Sequence, residues 1–348
     1  MTSRRTLVLA VVALAGCTHG ADPQPAGASS SSSGSTTTSS GTGGAGGATG
    51  SGGATGTGGA IPLPGGVFVA VGYGGRRVRS TDDGQTWVDD AVLEANGGDD
   101  DKLLRTVVSG PSGFVALGWR SMTSPDGKTW TDHGANIGQW LGAAVYGKGQ
   151  FAAVGGYGLR AVSADGVTWN NHSIDTIASH AADGLAFGDV MGGRFVAAND
   201  SGMRSFSTDA VTWTYAAGAT GTKTSHLAFG NGVFLGVDGA AVVTSSDGGA
   251  TWTDATALPV AADGLAFNGV EFAAVADGHL FTSSDGAIWA DQGVSGLQGG
   301  ALAYGHGTYV LVNGSARRRS IDGAHWDPPF DDGGNALSWV TYGPVAGP

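Results

Sequence analysis

The sequence predicts an all-β chain, a seven-bladed β-propeller of four-stranded blades. Three observations predict it. One turn-like segment recurs seven times at the spacing of a propeller blade. Two strand signals precede each copy. Glycine supplies 65 of 348 residues, and an interior glycine costs a helix roughly 1 kcal/mol relative to alanine. No stretch carries a helical period with caps.

The first copy of the segment reads Ser80-Thr81-Asp82-Asp83-Gly84-Gln85-Thr86-Trp87, and the second Ser124-Pro125-Asp126-Gly127-Lys128-Thr129-Trp130. The others place Asp165, Asp209, Asp247, Asp285 and Asp322 ahead of Trp169, Trp213, Trp252, Trp289 and Trp326. Successive Trp positions differ by 43, 39, 44, 39, 37 and 37 residues, the period of a four-stranded blade. Ahead of each copy lies an apolar run such as Val67 to Val71, Phe151 to Val154 or Phe272 to Val275. Before that run comes a shorter strand ending in an aromatic and a turn, as in Val145-Tyr146-Gly147. These are short β-rich runs bounded by turn residues.

Blade one lacks the short inner strand before Val67, and the C-terminus supplies a surplus one at Val340-Thr341-Tyr342-Gly343. The expectation is that this strand pairs beside Val67 to Val71 and closes the ring, leaving no long sheet edge.

The repeated segment resembles the Asp-box, or BNR repeat, and from about Gly65 to Pro348 the chain resembles the sialidase-like propeller superfamily. The segment is expected at the turn between the third and fourth strands. There the Asp accepts backbone N–H bonds, Gly takes the positive φ and Trp buries its ring against the neighbouring strand. One carboxylate per turn is too few ligands for calcium, so these seven Asp and seven Trp read as structural and no metal is expected. The fourth copy carries Ala210 where Gly is expected, which predicts a turn that is strained or differently shaped.

The N-terminus reads as an address. Arg4 and Arg5 precede the apolar run Thr6 to Leu14, which is far short of the ~20 residues a membrane-spanning helix needs and matches a signal h-region. Leu14-Ala15-Gly16-Cys17 resembles the lipobox of bacterial lipoproteins. The resemblance implies removal of signal residues 1–16 and lipidation of Cys17, the only cysteine. Thr18 in place of Asp implies the outer rather than the inner membrane. Residues 17–60 are almost wholly Gly, Ser, Thr and Ala. Such a tract cannot offset its chain entropy and forms a tether with a reach of about 35–40 Å; a glycosylated stalk is the alternative. Residues 61–348 form the propeller.

The starts of the first and third strands share one propeller face, opposite the repeated turns, and ligands usually bind there at the mouth of the central channel. At the third-strand positions the sequence places Arg77 (beside Arg76), Arg120, Arg160, Arg204, Val242, His279 and Arg317. At the first-strand positions it places Arg105, Gly142, Asp183, Ser225, Asp263, Gly300 and Ser338, with His226 and Trp339 one residue on. Arginine suits planar recognition of carboxylates and phosphates. Two arrangements follow: a pocket for an anionic ligand, or arginines that pair with Asp of the neighbouring blade and tie the ring together.

Several functions are disfavoured. A formal charge of −12 argues against a nucleic-acid partner. The sialidase resemblance implies an arginine triad, a Tyr nucleophile with a Glu, and an Asp acid/base. The family's Phe-Arg-Ile-Pro signature is absent, and the only Glu are Glu94 and Glu271. Asp183 and Asp263 leave room for paired-carboxylate hydrolysis of a glycan. No cofactor is implied: Gly72-Tyr73-Gly74-Gly75 and Gly155-Gly156-Tyr157-Gly158 imitate nucleotide loops but precede strands, without a helix N-terminus for phosphate. The Asp99-Asp100-Asp101 run reads as solvated charge. The expected function is a non-enzymatic binding or assembly module, a monomer anchored in the bacterial envelope, whose mouth meets an anionic glycan, an acidic peptide or an envelope protein. A glycan hydrolase and a purely structural envelope protein are the alternatives.

Overall fold

The computed structural model describes residues 65–345 apart from 96–99, 136–137, 175–180, 218–223 and 225, and apart from the side chains of 172–174 and 183. Cys17, the signal segment and the tether lie outside the described residues.

Seven sheets of four antiparallel strands form seven blades. Blade two is typical: Leu104–Gly110, Gly113–Gly118, Ser121–Ser124 and Thr131–Asp132 follow one another from the channel outward. Each inner strand packs on the inner strand of the next blade until the ring returns to its start. The inner strands run five to seven residues, longer than the sequence signal suggested, because they continue back past the aromatic to the channel mouth. Five of the outermost strands have only two residues.

Ring closure is as the sequence predicts. Leu337–Gly343 is the inner strand of blade one, antiparallel to Val67–Gly72, with Val67 opposite Gly343 and Val71 opposite Trp339. The Phe68 and Tyr342 rings lie 4.9 Å apart across this pair.

Each of the seven seams between blades holds its own apolar cluster. The second strand of every blade is buried from both sides; Val67–Gly72 and Gly113–Gly118 are buried at every residue. A strand covered on both faces reads as a continuous apolar run rather than an alternating one.

In all seven repeated turns the Ser hydroxyl donates to the Asp carboxylate, whereas the Trp289 indole Nε1 is buried without a partner among the described residues. In blade two the Ser124 hydroxyl donates to Asp126 (3.1 Å) and accepts from the Gly127 N–H (2.8 Å). Asp126 also accepts from the N–H groups of Lys128 (2.8 Å) and Thr129 (2.7 Å). The Trp130 indole donates to the Gly127 carbonyl (2.9 Å). Trp169, Trp213, Trp252 and Trp326 make the same indole bond in their own turns. In the fourth copy Ala210 takes φ 58°, the left-handed strain its sequence predicts.

Gly166 shows why glycine holds this position elsewhere. Its φ is +76°, and a Cβ there would overlap the Val115 side chain of blade two. Left-handed backbone and overpacking each cost a buried L-residue about 1–3 kcal/mol. Gly166→Ala is expected to lose about 3 kcal/mol in chemical denaturation, and a loss below about 1 kcal/mol would show that the seam can relax around the methyl.

Candidate functional site

Antiparallel order places the turns between second and third strands, and the starts of the inner strands, on one face. The repeated turns and the links from first to second strands share the other. Contacts on that second face run from blade to blade: His306 meets Asp83 (2.9 Å), and the Gln150 amide donates to the Asp209 carbonyl (2.7 Å).

Four of the five third-strand arginines are buried between blades. Arg77, Arg160, Arg204 and Arg317 are 7, 8, 4 and 2% exposed. Three of them stack on the repeated-turn Trp of the next blade: Arg160 on Trp213 at 4.6 Å, Arg204 on Trp252 at 5.0 Å and Arg317 on Trp87 at 5.3 Å. A desolvated guanidinium over an indole gains more than an exposed one. Arg160 also donates to the Ser205 hydroxyl (3.0 Å) and Arg204 to Thr224 (3.1 Å). Arg77 donates to the Gly75 carbonyl (2.8 Å) and to the Met122 sulfur (3.4 Å) in blade two. Burial lowers the Arg77 and Arg204 guanidinium pKa values, against the pull of Asp132 and Asp90 on the first and Asp254 on the second. Arg317 further pairs with Asp332 of its own blade. Arg120 differs: it reaches Asp132 of its own blade at 2.5 Å and the Asp101 carbonyl at 3.2 Å. His279 copies it with Asp291 at 3.0 Å.

The first-strand positions share a feature that sequence reading missed. Arg105, Gly142, Asp183, Asp263 and Ser338 each sit at a register shift in which the inner strand has one residue more than its partner. Such bulges re-aim a side chain and occur beside functional sites. Ser225 and the Asp183 side chain lie outside the described residues. Asp263 is exposed and lies against Gly299 of blade seven's approach. Trp339 is half-buried against the cluster between blades one and two. The Arg105 guanidinium lies 4.5 Å from the centre of the Trp140 ring, with its Nε buried and unpaired. Trp140 and the exposed Tyr157 are mouth residues that the sequence reading did not select. Their signal was the Gly-Gly-Tyr-Gly turn, read only as a failed nucleotide loop.

Glu94 is held by Lys102 at 3.1 Å, and Lys102 by Asp101 at 3.2 Å; Asp99 lies outside the described residues. Among the described residues no three His, Cys, Asp or Glu side chains stand together as a metal cluster.

The titrating groups predict acid sensitivity. Burial pushes the half-buried His226 imidazole below its usual pKa, against Asp263 and Asp238, which pull it up. All seven repeated-turn carboxyls also lie below the usual range. At Asp82, Asp126, Asp209 and Asp247 burial acts upward and donated hydrogen bonds outweigh it. At Asp165, Asp285 and Asp322 the backbone N–H bonds dominate. A depressed His disfavours protonation of the fold, so stability declines below about pH 6.5. Depressed carboxyls contribute above about pH 4 and lose that contribution as pH falls toward their folded values. The midpoint of thermal unfolding should fall gently from pH 7 to 5 and steeply below 4, with His226→Asn removing the gentle limb. A midpoint that rises between pH 5 and 3 contradicts this.

No protein-family model matches the chain, and no curated protein does. Solved structures do. YCF48 bound to D1 peptide superposes with a TM-score of 0.56 at 17% identity, covering 71% of this chain and 85% of that one. Apo AztD from Citrobacter koseri gives 0.55 at 12%, covering 80% and 97%. A chain of a nidogen/laminin complex gives 0.52 at 12%, covering 80% and 98%. At these identities the likeness is one of fold alone: the chain is a seven-bladed β-propeller, and a fold by itself assigns no function.

Proposed function

We propose that the protein is a non-enzymatic binding module of the bacterial envelope, anchored through lipidated Cys17 and a 17–60 tether, that holds an acidic peptide segment of a protein partner at its mouth. The observation that carries the reading is Arg105: a mouth guanidinium placed on a bulge, backed by an indole and with no counter-ion among the described residues. Such a cation suits a planar carboxylate. Two fold neighbours support the class, one bound to a peptide and one in a protein complex. The anchor fits as well. Tyr342 donates its hydroxyl to the Gly65 carbonyl (2.8 Å) beside His306, on the face of the repeated turns, so the chain enters the ring opposite the mouth. The Ser–Asp construction of those turns supports assignment of the repeat to the Asp-box class of the sialidase-like superfamily, with its glycan-binding variant as the competing ligand class. Thr18 favours the outer membrane.

The test is an array of acidic peptides and anionic glycans probed with the mature chain, with Arg105→Gln beside it. Binding to acidic peptides that the variant loses supports the reading. Silence of the unaltered chain, or turnover of a bound glycan, overturns it. Incorporation of labelled fatty acid that Cys17→Ser abolishes tests the anchor separately.

A further inference from the structure

The mouth face contains a strained residue whose side chain the turn does not require. Blades one and three join their second and third strands by the same single turn, Tyr73–Gly75 and Gly156–Gly158. Each follows an extended glycine, Gly72 or Gly155, and each has a middle residue in the left-handed region. In blade one that residue is Gly74, with φ 62° and ψ 20°. In blade three it is Tyr157, with φ 55° and ψ 33°. Left-handed backbone is a genuine outlier for a bulky side chain. Tyr157 is 61% exposed and makes no hydrogen bond or ring contact among the described residues. The ring therefore gains nothing from the strain, and strain held at an exposed site points to function.

The surroundings point to the ligand. The Gly156 N–H donates to the Trp140 carbonyl at 3.0 Å, and a side chain on Gly156 would meet the Trp140 indole at 2.7 Å from Nε1. The turn is thus built tightly on Trp140, whose ring carries the Arg105 guanidinium at 4.5 Å. Blade two brings a cation with no counter-ion among the described residues onto the Trp140 indole, and blade three seats the turn that carries the exposed Tyr157 on the same residue. We propose that Tyr157, Trp140 and Arg105 form one site for an extended acidic peptide, in which an apolar or aromatic side chain covers the Tyr157 ring and a carboxylate two residues away meets Arg105. Residues i and i+2 of an extended strand share a face about 7 Å apart, so one strand presents both side chains to the same side. Arg105 already covers the Trp140 ring, so no pair of bare rings remains to sandwich a sugar. The proposal rests on the peptide-binding reading above and assigns it to particular residues.

The experiment uses the mature chain and its Tyr157→Gly and Arg105→Gln variants. The probes are fluorescent peptides carrying Phe-x-Glu, Phe-x-Gln or Ala-x-Glu in a common frame, with an oligouronate as competitor. Tyr157→Gly is expected to leave the thermal midpoint unchanged or higher while weakening Phe-x-Glu binding at least tenfold. Arg105→Gln should abolish the preference for Glu over Gln. A midpoint lowered by several degrees in Tyr157→Gly would make the residue structural and overturn the proposal. If the unaltered chain binds acidic peptides and both variants bind them equally well, this site is wrong and the peptide-binding reading stands. If the unaltered chain binds none of the peptides, both fail. If it binds the oligouronate in their place, the ligand class is wrong.

Discussion

Arg76→Ala is expected to cost about 3 kcal/mol of folding free energy, the low end of the range for breaking a buried ion pair. Arg76 is fully buried at the seam between blades one and seven. Its guanidinium donates to Asp90 at 2.7 Å, to Asp332 at 2.6 Å and to the Asn335 carbonyl at 2.6 Å. Burial lowers its pKa, but the two carboxylates outweigh that and raise it. The same Asp332 carboxyl takes a hydrogen bond from Arg317, which lies between the rings of Trp87 and Phe330 at 5.3 and 5.0 Å. Burial acts upward on Asp332, and the two arginines hold it well below the usual carboxylate range. Removing Arg76 leaves Asp332 with Arg317 as its one cationic partner, beside the Gly334 N–H that its other oxygen accepts at 3.0 Å. Asp90 is partly exposed and regains solvent, which sets the low end of the estimate. Arg318→Ala is the control. Arg318 is half-buried and, among the described residues, donates only to the carbonyls of Asp327 and Gly296, with no buried charge to strand, so its loss should stay within about 1 kcal/mol. Chemical denaturation of both variants decides the matter: an Arg76→Ala protein as stable as Arg318→Ala would mean that the network contributes nothing to the seam. A cycle with Asp332→Ala should be strongly non-additive, because the two residues share one hydrogen-bond network.

The placement of these arginines marks where the sequence stops being legible. Position along a strand could be counted back from the repeated Ser, and that count correctly put Arg77, Arg160, Arg204 and Arg317 at third-strand starts. The side on which each guanidinium lies could not be counted. In a ring whose blades are covered on both faces, period-two alternation separates one seam from the next, not inside from outside. The partner of Arg160 is a Trp in the following repeat, and nothing local to Arg160 announces it. The bulges at Arg105 and Asp263 were hidden for a related reason: an extra residue in one strand shows only against the register of its partner. The repeated turns and the closing strand were legible because local chemistry sets both. Ser, Asp and Gly bond within five residues of one another, and a strand signal without a blade must pair with the blade that lacks one.

Removing residues 337–348 should abolish the cooperative fold rather than weaken it. The inner strand of blade one comes wholly from Leu337–Gly343. Leu337 and Val340 are buried in the cluster that joins blade seven to blade one, together with Phe68, Ala70 and Val312. Without this strand, Val67–Gly72, buried at every residue, becomes an open apolar edge. Such an edge templates pairing with other chains. The inner strands of blades seven and two would also lose the neighbour that each packs against. Those losses together approach the whole ~5–15 kcal/mol that stabilises an ordinary domain, so the truncated chain is expected to aggregate and to show no two-state transition. A synthetic peptide spanning 337–345 should restore the transition when added during refolding, as the missing strand pairs in trans. A truncated chain that unfolds cooperatively near the original midpoint would show that the ring holds as an open arc. In that case Arg76, Asp332 and Arg317 would be closing blade seven onto blade one without the strand.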